Sequence, residues 1–187
     1  MDRRKRKTRK LIQESLFSLM KEYPYRKIRI SQITEYADIS RSTFYLHYET
    51  KEGLLFSVVD EIIDEYFMSI DKVTRGFEEN PTKLLFSKWQ QNIEKMQLIV
   101  DAGMEYRIFQ RLREFNKKRR EVIETGNTLL NDYIRTMLDG ASFALLLRWT
   151  KDDASVPVSQ MEQLFDGLNI EFLFKSLSEK LPDFGKP

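Results

Sequence analysis

Apolar residues recur three and four positions apart along nearly the whole chain, from Ile12 to Leu173, and that spacing selects the α-helix. Strands would need alternation with a period of two, and tight hairpins would need glycine and proline. The 187 residues hold only seven glycines and five prolines. An all-α fold is the expectation. There is no cysteine and a single histidine, His47. Disulfides, thiolate metal sites and Cys-nucleophile chemistry are therefore excluded, and no histidine cluster or Ser-His-Asp set can be built away from His47. No Gly-rich phosphate loop is present, so neither a cofactor nor an enzymatic activity is expected. The longest apolar stretch, 141–147, is interrupted by Ser142 and is too short to span a bilayer. The N-terminus is charged from its second residue and lacks an apolar signal core. A soluble, cytoplasmic protein without a metal or membrane partner is expected.

Charge divides the chain more sharply than its net value of +2 suggests. Residues 1–55 hold 13 Lys+Arg against 7 Asp+Glu, whereas 56–187 hold 18 against 22. A basic first module on an acidic remainder points to a polyanionic partner for the first part. The densest positive charge is the run Arg3-Arg4-Lys5-Arg6-Lys7, followed by Arg9 and Lys10. It reads as a basic arm over 1–7.

Behind the arm, Ile12, Leu16, Leu19, Met20 and Tyr23 fall on one face of a helix that Thr8 would cap and Pro24 would end. A connector over 25–30 leads to Ser31, a second candidate cap, and to a two-turn helix with Ile33 and Ala37 inward. Asp38-Ile39 forms a tight corner. Ser40 would then cap a third helix running to about Tyr48, with Phe44 and Tyr48 on one face. Short helix, turn and short helix over about 29–48 make a helix-turn-helix, whose second helix reads the DNA major groove. Its other face carries Arg41, Ser42, Thr43, Tyr45 and His47. Arginine can bond a guanine edge twice, serine and threonine can bond base edges or phosphates, and tyrosine and histidine can donate to phosphates. Lys51 adds a point charge at the start of the next helix. Arg29 and Ser31, where the first motif helix begins, complete the candidate DNA-binding set.

The run from Ile28 through Ser40-Arg41-Ser42-Thr43-Phe44-Tyr45-Leu46-His47-Tyr48 to Thr50-Lys51-Glu52-Gly53-Leu54-Leu55 resembles the N-terminal domain of the tetracycline-repressor (TetR) family of regulators. The most specific part is Thr-Phe-Tyr-x-His-Tyr-x-x-Lys. The resemblance covers roughly residues 8–60 and departs at two positions. The family usually has threonine where Arg29 stands, so one phosphate contact would substitute for another. It usually has glycine where Asp38 stands, and Asp tolerates the left-handed conformation better than most residues.

The remainder reads as further helices. Thr50 would cap a helix with a broad apolar stripe from Leu54 to Ile70, a lever between the first module and the rest. A loop is expected over 74–80. Pro81 would open a helix whose face runs Leu85, Trp89, Ile93, Met96 and Val100 to a break at Gly103. Met104 to Phe115 continue before a charged stretch, 116–124. After Gly126, long helices are expected over 127–151 and 157–179. Phe143, Ala144, Leu146, Leu147, Ile170 and Phe174 lie off their main faces, which suggests partners on two sides. Self-association into a four-helix seam is the expectation, with Leu145, Leu146, Trp149, Phe172 and Phe174 as its candidate interface. The resemblance implies the same, since TetR-like regulators dimerise through their last two long helices. The C-terminal region also resembles the subgroup typified by the dihydroxyacetone-kinase operon activator, in a Leu-x-x-Trp ending followed by a capped helix. Trp89, Met96, Met104, Tyr106 and Phe109, with Phe115, are candidates to line a pocket for a small apolar or aromatic effector.

The domain reading is 1–52 for DNA binding and 53–187 for dimerisation and effector binding. The functional reading is a homodimeric transcriptional regulator, a repressor of a palindromic operator in double-stranded DNA. The alternative is a helical protein-interaction adapter that binds polyanions nonspecifically.

Overall fold

The computed structural model describes residues 3–73, 81–118, 126–167 and 170–185, and among these every regular element is helical. The expected loop over 74–80 and most of the charged stretch over 116–124 lie outside the described residues. The chain divides into two compact units. Met1–Glu65 and Asn92–Ile108 form the first, and Tyr66–Gln91 with Phe109–Pro187 form the second.

In the first unit, α1 spans Arg3–Glu22, a 3-10 turn spans Tyr25–Lys27, α2 spans Ile30–Tyr36, and α3 spans Arg41–Tyr45. The first part of α4 (Lys51–Val73) and all of α6 (Ile93–Asp101) complete it. The basic arm is thus not a tail. Arginine and lysine are good helix formers, and the helix extends back to Arg3. Thr8 is therefore not its cap but an interior residue, whose hydroxyl donates to the Arg4 carbonyl at 3.2 Å. Ser31 is not a cap either, because α2 begins one residue before it. Arg29 occupies the cap position, has no acceptor to offer, and donates its own backbone N–H to the Gln32 side chain at 2.8 Å.

The core of this unit contains Ile12, Leu16, Leu19 and Met20 from α1, Ile33 and Ala37 from the α2 turn, and Phe44 and Tyr48. Leu54, Leu55, Val58 and Val59 of α4 are buried as well. Each full burial of a side chain of this size contributes about 1.5–3 kcal/mol before entropy is counted. Tyr23, expected on the inner face of α1, is exposed, because the helix has ended before it.

Two helix ends in this unit close with the same pair of bonds. After α2, Asp38 N–H donates to the Glu35 carbonyl and Ile39 N–H to that of Thr34. After α6, Gly103 N–H donates to Val100 and Met104 N–H to Ile99. Both are Schellman closures, which require a left-handed residue; φ is 49° at Asp38 and 76° at Gly103. α6 is itself a finding. The single helix expected across Leu85–Val100 breaks at Asn92, with φ −115° and ψ 16°, into α5 (Pro81–Gln91) and α6. Asparagine competes poorly as a helix interior residue, so the break falls there.

The second unit contains α5, most of α7 (Glu105–Lys118), α8 (Thr128–Lys151), α9 (Val158–Asp166) and α10 (Ile170–Lys180). The helix expected over 157–179 is two helices, and α9 ends at Gly167. Phe86 stacks edge-on against Trp149 and Phe165, which ties α5 to α8 and α9. Leu130 and Ile134 of α8 pack with Phe174 of α10, flanked by Leu138, Leu173, Leu177 and Phe184.

These contacts correct the expected seam. Leu146, Trp149 and Phe174 are 1%, 2% and 4% exposed within a single chain, so they are core residues rather than an outer interface. Leu145 is half-buried, and the Phe172 side chain lies outside the described residues. Apolar spacing on a helix with apolar residues on several sides does not reveal which side faces its own chain.

Candidate nucleic-acid interface

α3 is short because Ser40 starts it and Phe44 anchors it. The Ser40 hydroxyl accepts from Thr43 N–H at 3.0 Å and lies 2.8 Å from the hydroxyls of both Ser42 and Thr43. Phe44 is fully buried, with Tyr45 edge-on at 5.6 Å and Tyr48 at 5.9 Å between ring centres. The α-helix stops at Tyr45, short of the expected Tyr48, but bonds from Leu46 N–H to Ser42 and from Tyr48 N–H to Phe44 carry the winding onward.

Seated on that anchor, Arg41, Ser42 and Tyr45 are exposed, while Thr43 and His47 are half-buried. Arg29 and Ser31 are exposed at the start of α2. The hydroxyls of Ser42 and Thr43 already share the Ser40 oxygen, so in the free protein they serve the cap. Burial, then the positive charges of Arg9 and Lys5, pull the His47 pKa below its usual 6.5. At neutral pH its imidazole is neutral and offers a single N–H donor.

Lys51 does not stand as the free point charge expected of it. Its ammonium donates to the carbonyls of Tyr25 and Ile28, both at 2.8 Å, and sits 4.2 Å from the centre of the Tyr25 ring. One N–H remains for an external anion. Burial lowers its pKa, against the opposing pull of Glu52. Tyr25 donates to Glu52 at 3.3 Å, and its own pKa is raised by burial and by that carboxylate. Lys51 is thus a clamp that fixes the connector before α2 to the start of α4, where Thr50 Oγ1 accepts from Gly53 N–H at 2.9 Å.

Two side chains escaped sequence reasoning. Arg9 looked like part of the basic run, but it pairs with Glu61 at 2.9 Å and lies over the Tyr48 ring. Nothing local signals a partner 52 residues away. Leu46 is 84% exposed, more than any other large apolar residue described. Its signal was present, since it follows Phe44 by two positions, about 200° around the helix.

The proposed effector residues are divided between the two units. Met96, Met104 and Tyr106 belong to the first unit, where Met96 is fully buried and Tyr106 exposed. Trp89 is buried in the second unit, its indole N–H donating to Thr150 Oγ1 at 2.8 Å. Only Phe109 lines the cavity of about 180 Å³ in that unit, together with Tyr66, Phe67, Phe143 and Phe165. Arg113, Asp139 and Ser142 supply its polar part. The Phe115 side chain lies outside the described residues.

Comparison with known proteins bears on both units. Residues 12–58 match the family described as bacterial regulatory proteins, tetR family. An uncharacterized HTH-type transcriptional regulator of Bacillus subtilis (strain 168), YxbF, is 41% identical over 69 residues, covering 34% of this chain. The match spans only 18% of that relative's length. Among solved structures, the dihydroxyacetone kinase operon activator DhaS is similar over 93% of both chains, with a TM-score of 0.51 and 19% identity. The shared fold therefore extends well past the matched N-terminal segment.

Proposed function

We propose that this chain, whose residues 12–58 match the tetR family of bacterial regulatory proteins, is a sequence-specific transcriptional repressor that holds a palindromic operator as a homodimer. The observation that carries the reading is α3: a buried Phe44 beneath an outward face bearing Arg41, Ser42 and Tyr45. Arg41 reads a base edge, Tyr45 and His47 hold phosphates, and Arg29, Ser31 and the remaining donor of Lys51 add contacts around them. Arg3–Lys7, at the start of α1, supply sequence-independent attraction.

Dimerisation is assigned to α8, to the exposed apolar stripe that runs beside its buried one. Leu129, Tyr133 and Met137 are exposed at intervals of four, and exposed Ala141 continues the row. An exposed apolar stripe at helical spacing on a long helix is suited to a second copy. The effector site is assigned to the aromatic cavity. Its volume is close to the roughly 150 Å³ that holds one benzene ring, so a one-ring aromatic with a polar substituent toward Arg113, Asp139 or Ser142 fits.

In vitro selection on random duplex DNA tests the main reading. It should recover a two-fold symmetric site bound at least about 10³ times more tightly than random duplex. Equal affinity for all duplexes would instead make the chain a nonspecific polyanion binder.

A further inference from the structure

Leu46 is the least buried large apolar side chain described, at 84% exposed, at the C-cap of a helix that turns the polar Arg41 and Ser42 outward. It is not exposed for want of room inside. Phe44 already fills the inner position, and residue 46 falls about 200° away from it, on the side directly opposite the core. Its N–H bond to the Ser42 carbonyl at 3.1 Å keeps it in helical register, so Ser42 and Leu46 share the outermost ridge. Ser42 is committed to the cap through Ser40, which leaves Leu46 as the projecting feature of that ridge. Tyr45 beside it is 48% exposed.

An isolated apolar side chain costs little on a surface, but on a groove-reading helix it meets base edges from which water is expelled. Only one base-pair edge in the major groove is apolar, the C5-methyl of thymine. Charge complementarity supports DNA as the occupant, since Arg41 lies on the same short helix and the basic start of α1 belongs to the same unit. Resting on the DNA-binding reading above, we propose that Leu46 is a specificity-determining residue that packs against a thymine methyl group in each half-site. Arg41 then selects by hydrogen bonding and Leu46 by apolar contact, and the site should carry an A·T pair beside the base read by Arg41.

The test removes one methyl from each side. On the site selected by the wild-type protein, each thymine is replaced singly by deoxyuridine, and binding is compared for wild type and Leu46→Ala. At one thymine per half-site, uracil should weaken wild-type binding about fourfold, the worth of one buried methyl-sized group. It should leave Leu46→Ala binding unchanged. Leu46→Ala should also lose preference for A·T at that position in a fresh selection while keeping the base read by Arg41. Uracil effects equal in both proteins, or an Ala variant weakened alike on every sequence, would overturn the proposal and leave Leu46 as a sugar or phosphate contact. A wild-type protein with no preferred site would instead defeat the regulator reading itself.

Discussion

α3 and α8 both carry apolar residues on more than one side, yet the consequences differ. On α3 and its C-cap, Phe44 faces inward and Leu46 outward, with polar Arg41 and Ser42 exposed beside Leu46. The inner and outer sides are distinct. On α8, Leu130, Ile134, Leu146 and Trp149 are buried, while Leu129, Tyr133 and Met137 are exposed, so two apolar stripes run side by side. A helix of this second kind has no single direction that spacing alone can assign. The first is positioned by its own turn and cap, the second by what packs against it.

Charge insertion on α8 should break this comparison most violently. Leu146→Glu would bury an unpaired carboxylate and cost more than about 4 kcal/mol, so thermal melts should show an unfolded or strongly destabilised chain. Met137→Glu, on a residue that is 50% exposed, should keep its melting temperature within a few degrees of that of a folded monomer and shift sedimentation from dimer to monomer. A Met137→Glu protein that remains dimeric would move the interface off this stripe.

On the reader, the matching experiment separates reading from holding. Arg41→Ala should cost about 1–3 kcal/mol on the selected site and relax preference at one base pair per half-site. Removing Arg3–Lys7 should weaken all duplexes alike and flatten the salt dependence by about one unit of slope per lost phosphate contact. Titrations across salt concentrations distinguish the two.

The two Schellman closures allow a finer comparison. Asp38→Gly should stabilise the first unit by up to about 1 kcal/mol, because it relieves a left-handed residue bearing a Cβ. Gly103→Ala should cost about 1–2 kcal/mol from the backbone alone, since a Cβ there would meet nothing within 4 Å. Denaturant midpoints of the two variants should therefore move in opposite directions. The smallest expected effect is that of pH on His47. Its depressed pKa means that folding stability is fully present above about 6.5 and falls as pH drops below that value. A phosphate beside the imidazole acts the other way, so operator affinity should rise as pH falls through that region, and His47→Gln should flatten the rise.

The elements were legible in the chain wherever their causes were local. Ser40 and Thr50 cap the helices they precede, Asp38 takes the left-handed corner, and Ile33, Ala37, Phe44 and Tyr48 turn inward at the expected spacing. Each of these follows from bonds or steric limits within a few residues. What the chain did not reveal depends on partners distant in sequence. The basic arm is a helix that continues into the buried face of α1, Arg9 belongs to Glu61, and Lys51 is spent on the carbonyls of Tyr25 and Ile28. On α8 and α10 it is Phe174 meeting Leu130 and Ile134 that marks the inner side, and so leaves Tyr133 and Met137 on the exposed stripe beside it. Helical periodicity says that a residue has a face. Which face is wet depends on what is left uncovered after every other helix has packed.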